Sequence, residues 1–251
     1  MTKTYATLQW GQFHDQFCED FYIIETIGIQ RQLLAVMDGC SMGKESTFAS
    51  MLVGKLLRRI ARDEYYGTYH SQATIDLKAQ LRLITYQLFD ALKHMKNQLG
   101  LATEELLCTL NMALVDKENH RAECVVIGDG LICHDGRLHD FEQANRPDYL
   151  GYHLGEDFDN WYADQEQKVS VYQFEDLALT TDGIFTFQPQ QKNGAQKPQE
   201  TIDRYLLIDQ SGFEQQNFLD RKIRSIANEW QHQAMDDLAM VRVIKSLEHE
   251  E

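Results

Sequence analysis

Apolar and polar positions follow two different periods along this chain, and each change of period marks a predicted element. Thr4 to Gln9 alternates weakly and reads as a strand, and Phe21 to Ile29 reads as a second, preceded by the acidic pair Glu19 and Asp20. Leu33 to Met37 is a short apolar run, consistent with a buried strand, and it stops at Asp38-Gly39. The spacing then becomes helical. Phe48, Met51, Leu52, Leu56 and Ile60 fall at intervals of 3, 1, 4 and 4, which marks one helical face. Glu45 and Ser46 near its start, with Lys55, Arg58, Arg59 and Arg62 toward its end, suit the helix dipole. A second helix is plainer: Leu77, Leu81, Ile84, Leu88, Leu92, Met95 and Leu99 are spaced 4, 3, 4, 4, 3 and 4. The polar segment Asp63–Ala73 between them suggests an antiparallel pair covering an apolar surface.

The middle of the chain changes character. Leu106 to Val115, Ala122 to Ile127, Leu131 to His134 and Arg137 to Phe141 are short apolar or alternating runs separated by turn-prone DKENH, GDG and HDG. They read as an antiparallel meander. Val169 to Phe174 and Leu177 to Thr181 add two strands, the latter ending at Asp182-Gly183. Gln188 to Thr201 is polar, holds two of the three prolines and reads as a surface loop. Phe218 to Trp230 forms a third helix, with Leu219, Ile223, Ile226 and Trp230 on one face, and Leu238 to Ile244 a last strand. This order is not the strict alternation of a parallel α/β sheet. It favours an α+β fold of two packed antiparallel sheets with helices outside, expected as a single domain over residues 1–251.

Composition narrows the function. No stretch approaches the roughly 20 apolar residues of a membrane span, and MTKTYATLQW lacks a signal-peptide core. The net charge of −15 disfavours a nucleic-acid partner, because phosphate neutralisation needs clustered cations. The cysteines Cys18, Cys40, Cys108, Cys124 and Cys133 are odd in number and form no CxxC, so neither a disulfide framework nor a structural zinc site is expected. A cytoplasmic protein without a membrane partner is the resulting expectation.

Candidate chemistry lies in the acidic residues at strand ends. LLAVMDG and LALTTDG both finish an apolar strand with Asp-Gly, at Asp38-Gly39 and Asp182-Gly183, and VVIGDG adds Asp129-Gly130. Singly, Asp-Gly is foremost a turn signal. A carboxylate fixed at a strand end also suits a hard cation such as Mg²⁺ or Mn²⁺. Glu19-Asp20 and Asp236-Asp237 are further acidic pairs beside strands.

In chain order come CEDFYII, LLAVMDG, VVIGDG, LALTTDG and DDLAMVRVI. With these motifs the sequence resembles the metal-dependent PP2C (PPM) serine/threonine protein phosphatases, as a divergent bacterial-type member, from about Leu8 to Ile244. The resemblance implies a four-layer αββα sandwich and two Mn²⁺ or Mg²⁺ ions. Asp38 would bridge both metals, with the Gly39 carbonyl on one. Glu19, with Asp20 adjacent, would serve the second metal; Asp182 and Asp236 would complete the first. Asp129 matches the aspartate that binds a third, weaker metal in some members. The implied reaction is hydrolysis of phosphoserine and phosphothreonine by a metal-activated water. A phosphorylated protein would be the substrate and a serine/threonine kinase a further partner.

The sequence departs from the pattern around the substrate. Asp15 stands where many members carry a phosphate-contacting arginine, with His14 beside it as a substitute if protonated. CSMGKES follows Asp38-Gly39 without the usual histidine, leaving Lys44 as the nearest cation. Ala239 replaces a usual threonine or serine, and Gly130 and Leu131 a usual serine and arginine. The expected catalytic set is therefore Asp38, Asp182, Lys44 and His14, with Gln188 to Thr201 as a substrate-selecting flap. Two alternatives remain: a catalytically weak module that binds a kinase or phosphoprotein, and an ordinary α+β domain whose acidic clusters only solubilise it.

Overall fold

The computed structural model describes residues 2–14, 16–44, 46–70, 75–141, 143, 147–191 and 196–246. It opens with β1 (Thr2–Gln9), β2 (Phe21–Ile27), β3 (Arg31–Met37), α1 (Ser46–His70) and α2 (Leu77–Leu99). The meander follows as β4 (Leu110–Asp116), β5 (Arg121–Ile127), β6 (Leu131–His134) and β7 (Arg137–Asp140). Then come α3 (Phe158–Asp164), β8 (Lys168–Val171), β9 (Asp176–Thr180), β10 (Phe187–Pro189), α4 (Gln199–Leu207), α5 (Phe218–Asn228), β11 (His232–Ala234) and β12 (Leu238–Lys245).

Two five-stranded sheets result, ordered β2-β3-β4-β5-β8 and β1-β12-β9-β6-β7, with β10-β11 as a separate ribbon. Their pairings are antiparallel. The period of two along each strand explains the layering. In β3, Leu33, Ala35 and Met37 share an apolar layer with α1, α2 and α3, while Leu34 and Val36 face β9 and β12 of the other sheet. In β12, Leu238, Met240 and Ile244 pack against α4 and α5, while Ala239, Val241 and Val243 face the first sheet. The layers are thus helices, sheet, sheet, helices, the expected αββα sandwich. Burial on both faces is why these strands read as continuous apolar runs.

Arg242 interrupts the pattern of β12. It is fully buried, donates from Nε to Asp176 at 2.8 Å and from Nη1 to the carbonyls of Leu206 and Asp209. Lys222 of α5 pairs with Asp209 beside it.

α2 forms as its spacing predicts. Asp76 caps it by accepting from the Ala79 N–H, and Gly100, at φ 67°, closes its C-terminus. Leu77, Leu81, Ile84, Leu88 and Leu92 are buried, but Leu99 is exposed. α1 departs more. It continues past Asp63 to His70, because polar residues carry helical backbone as well as loop; Glu45 and residues 71–73 lie outside the described residues. Its buried stripe includes Ala49, Val53, Leu57 and Ala61, and Met51 points outward. The helix lies close to β2 at Gly54, where a Cβ would meet the Phe21 ring at 2.5 Å. The segment Gln188–Thr201 also divides, with Gln188 and Pro189 in β10 and Gln199 opening α4; residues 192–195 lie outside the described residues. Among the described residues no helix is long and apolar enough to cross a membrane.

Candidate metal centre and the groove beside it

Antiparallel register carries distant acidic residues to one end of the sandwich. Phe21 at the start of β2 lies opposite Met37 at the end of β3, and Leu110 at the start of β4 opposite Ile127 at the end of β5. In the second sheet Thr180, the end of β9, lies opposite both Leu131 and Met240. Asp20, Asp38, Asp129, Asp182 and Asp236 each enter or leave a strand at this end.

Asp38, Asp129 and Asp182 each present a carboxylate oxygen, and these lie within 4.8 Å of one another. Asp20 joins them: it is buried, accepts from Thr181 Oγ1 at 2.7 Å and is hydrogen-bonded to Asp38. Burial, and then the charges of Asp20, Asp182 and Asp236, hold Asp38 well above the usual carboxylate range. Burial likewise pushes Asp20 up to about 8, with the Asp237 and Asp182 charges adding and the bonds from Thr181 and Asp38 opposing. An all-oxygen cluster whose members repel one another suits a hard divalent cation, which would relieve that repulsion. The glycines that follow are held by packing. A Cβ on Gly39 would lie 2.2 Å from the Ser46 carbonyl oxygen, and one on Gly183 1.8 Å from that of Asp237.

The remaining expected residues stand around the rim. Glu19 accepts from Ser41 Oγ at 2.7 Å and Ser46 Oγ at 2.6 Å. Its carboxylate is turned to the α1 side while its neighbour Asp20 enters the cluster. Asp236 is half-buried and lies 3.2 Å from His14 Nε2. His14 Nδ1 lies 2.7 Å from Asp237 Oδ2. Burial opposes the His14 charge, but the Asp237 bond and the charges of Asp237, Glu19 and Asp236 raise its pKa overall. Both ring nitrogens therefore face carboxylates. Lys44 is exposed and Asp15 lies outside the described residues. A groove of about 980 Å³ runs past this rim, lined by Glu19, Asp236, His14 and Lys44 and by Phe13 and Phe17.

Thr181 and Asn111 were not singled out by the sequence, and Asp237 was noted only as the second member of an acidic pair. Asp237 is buried and accepts from the backbone N–H groups of Gly11 (2.7 Å) and Glu19 (2.5 Å), so it pins the segment that precedes Asp20. Thr181 fixes Asp20. Asn111 of β4 crosses between the sheets, donating from Nδ2 to the carbonyls of Leu131 (2.9 Å) and Thr180 (3.4 Å), beside the chain carrying Asp129 and Asp182. Its buried Oδ1 has no hydrogen-bond partner among the described residues. A polar residue inside the apolar run LCTLNMALV was the available signal for Asn111. Nothing in the sequence separated Asp237 from Asp236.

A family model described as protein phosphatase 2C matches residues 13–206. An arginine-to-glutamate variant of a bacterial serine phosphatase matches with a TM-score of 0.64 at 16% identity, over 98% of this chain and 99% of that one. RsbX in complex with magnesium matches at 0.54 and 12%, over 98% and 96%. The PP2C domain of SpoIIE from Bacillus subtilis, with a fragment of its regulatory domain, matches at 0.53 and 17%, over 97% of this chain. The chain spans 63% of that longer protein. No curated protein matches by sequence. At these identities the structural likeness concerns the fold.

Proposed function

This chain belongs to the protein phosphatase 2C family, and from that premise we propose that it is a Mn²⁺- or Mg²⁺-dependent phosphatase acting on phosphoserine and phosphothreonine in proteins. The observation that carries the reading is the convergence of Asp38, Asp129 and Asp182 within 4.8 Å. Two cations, with a third held more weakly, would be bound by these residues with Asp20, the Gly39 carbonyl, Glu19 and Asp236. When bound they would supply a water made acidic enough to attack phosphorus, and charge to offset the phosphoryl oxygens.

The chain's own groups do the rest. Thr181 keeps Asp20 oriented toward Asp38. His14 and Asp237 hold the segment that bears Asp236. Lys44, at the groove, offers the phosphate a positive charge in place of the missing arginine. No cysteine need act as nucleophile. Five unpaired thiols are consistent with a reducing, cytoplasmic setting. A single domain over residues 1–251 accounts for the shared sheets, and a kinase must supply the phosphorylated substrate.

Turnover of free phosphoserine with and without Mn²⁺, repeated on Asp182→Asn, tests the proposal. Mn²⁺-dependent turnover that falls more than about a hundred-fold in the variant is expected; a normal rate in the variant would refute it. Lys44 as the one lysine or arginine among the described groove residues favours the second reading, a weakly catalytic binding module. Metal binding without turnover on several phosphopeptides would select that module instead.

A further inference from the structure

The groove beside the carboxylates has an apolar wall that the fold does not need. Phe13 and Phe17 are 68% and 64% exposed, and both line it. Met51, exposed on α1, lines it as well, together with Phe48. Aromatic rings left in water forgo the free energy that burial would return.

These rings sit on a tethered seat. The Gln12 N–H donates to the Ala234 carbonyl (3.2 Å) and the Phe13 N–H to that of Met235 (2.8 Å). The Gly11 N–H donates to Asp237 Oδ1, and Trp10 Nε1 donates to the His14 carbonyl at 2.6 Å. Phe13 is thus held by its own backbone, and the Glu19 N–H, which donates to Asp237, anchors the chain just past Phe17, so part of the ordering cost of contact is already met.

Position and charge identify the occupant. Glu19 and Asp236 line the same groove, so a chain whose phosphate reaches the carboxylate cluster must lay its flanking residues along this wall. Those two carboxylates face Lys44 alone among lysines and arginines of the described lining, on a chain of net charge −15. Acidic flanks meet Lys44 alone among lysines and arginines there, and apolar ones meet rings of matching chemistry. We infer that Phe13, Phe17 and Met51 form a recognition subsite for a bulky apolar side chain next to the phosphorylated serine or threonine of a protein substrate. This rests on the phosphatase reading of the site and narrows its substrate class.

The test uses three matched peptides carrying a non-hydrolysable phosphonate analogue of phosphoserine, flanked by leucine and phenylalanine, by glycine, or by glutamate. Binding to the Mn²⁺-loaded protein is followed by fluorescence anisotropy. The apolar peptide is expected to bind about ten-fold more tightly than either the glycine or the glutamate one. In the Phe13→Ser/Phe17→Ser protein the apolar preference should shrink to less than roughly two-fold. Equal affinities in the wild type, or a preference that survives in the double variant, overturns the inference. So does adsorption of the wild type, but not the variant, to phosphatidylcholine vesicles without any peptide preference. Turnover of the corresponding phosphoserine peptides is scored separately. Preference without turnover removes the enzyme reading and keeps the subsite, whereas turnover without preference does the reverse.

Discussion

Two groups of buried charge in this molecule are built on opposite terms. On the α4–α5 side of the second sheet, Arg242 meets Asp176, and Lys222 meets Asp209 while its ammonium lies 3.8 Å from the Tyr205 ring centroid. Each charge has its counter-charge within the chain. At the open end of the sandwich, Asp20, Asp38, Asp129 and Asp182 are drawn together with like charge, and burial first, then those charges, raises the pKa values of Asp20 and Asp38. Burial alone therefore does not distinguish structural from functional charge. The two groups differ in the sign of the neighbouring charge, opposite at the first and like at the second, where the proposed cation would offset it.

Removing one member of each group should separate them most sharply. Arg242→Met strands the Asp176 carboxylate and is expected to cost about 3–5 kcal/mol in denaturant unfolding, while the Mn²⁺-induced rise in melting temperature persists. Asp38→Asn should do the opposite, stabilising the metal-free chain modestly and abolishing that rise. If Arg242→Met were harmless and Asp38→Asn strongly destabilising without metal, the contrast between the clusters would be wrong.

A smaller effect follows from pH. Asp20, with its pKa pushed up to about 8 by burial, stabilises the metal-free fold in its protonated form. That contribution is complete below the ordinary carboxylate range and is lost as pH climbs through about 8. Without metal the chain should melt at a higher temperature near pH 6 than near pH 8 as far as this group is concerned. Mn²⁺ must displace protons from these carboxyls, so its affinity by calorimetry should increase over the same interval, with proton release detectable between buffers of different ionisation enthalpy. A pH-independent affinity would sink this account.

The smallest expected effect lies in the amide that joins the sheets. Asn111→Leu exchanges two inter-sheet hydrogen bonds and an orphaned oxygen for apolar contact, so metal-free stability should change by no more than about 1 kcal/mol. Losing a directional link between the sheets that carry Asp38 and Asp182 should nevertheless weaken Mn²⁺ binding by about ten-fold. Unchanged affinity would reduce Asn111 to a packing residue.

Much of this architecture was legible in the residue pattern. β3 and β12 are apolar on both faces, and such runs belong between a sheet and a helix layer; the spacing in α2 named its buried residues nearly one by one. Elements too short to complete a period were less visible, among them α3, β10 and β11. The α1 face was read correctly at Leu56 and Ile60 but not at Met51, which lies at the edge of the stripe and is exposed, because spacing specifies a stripe and not its margins. Around the site, the strand-end aspartates stood out as Asp-Gly pairs. Which carboxylate of Glu19-Asp20 turns inward was not readable, since adjacent residues differ only in direction.

Residue order by itself determined the αββα layering, the membership of a phosphatase family and the acidic residues available to a cation, because period and motif are local properties of the chain. Tertiary structure alone decided that Asp20 enters the cluster while Glu19 binds two serines, that Asp237 serves as an anchor, and that Phe13, Phe17 and Met51 share one wall. Those are outcomes of strand register and sheet-to-sheet distance, which couple residues up to some two hundred positions apart, as Gly11 and Asp237 are, and which no local pattern encodes.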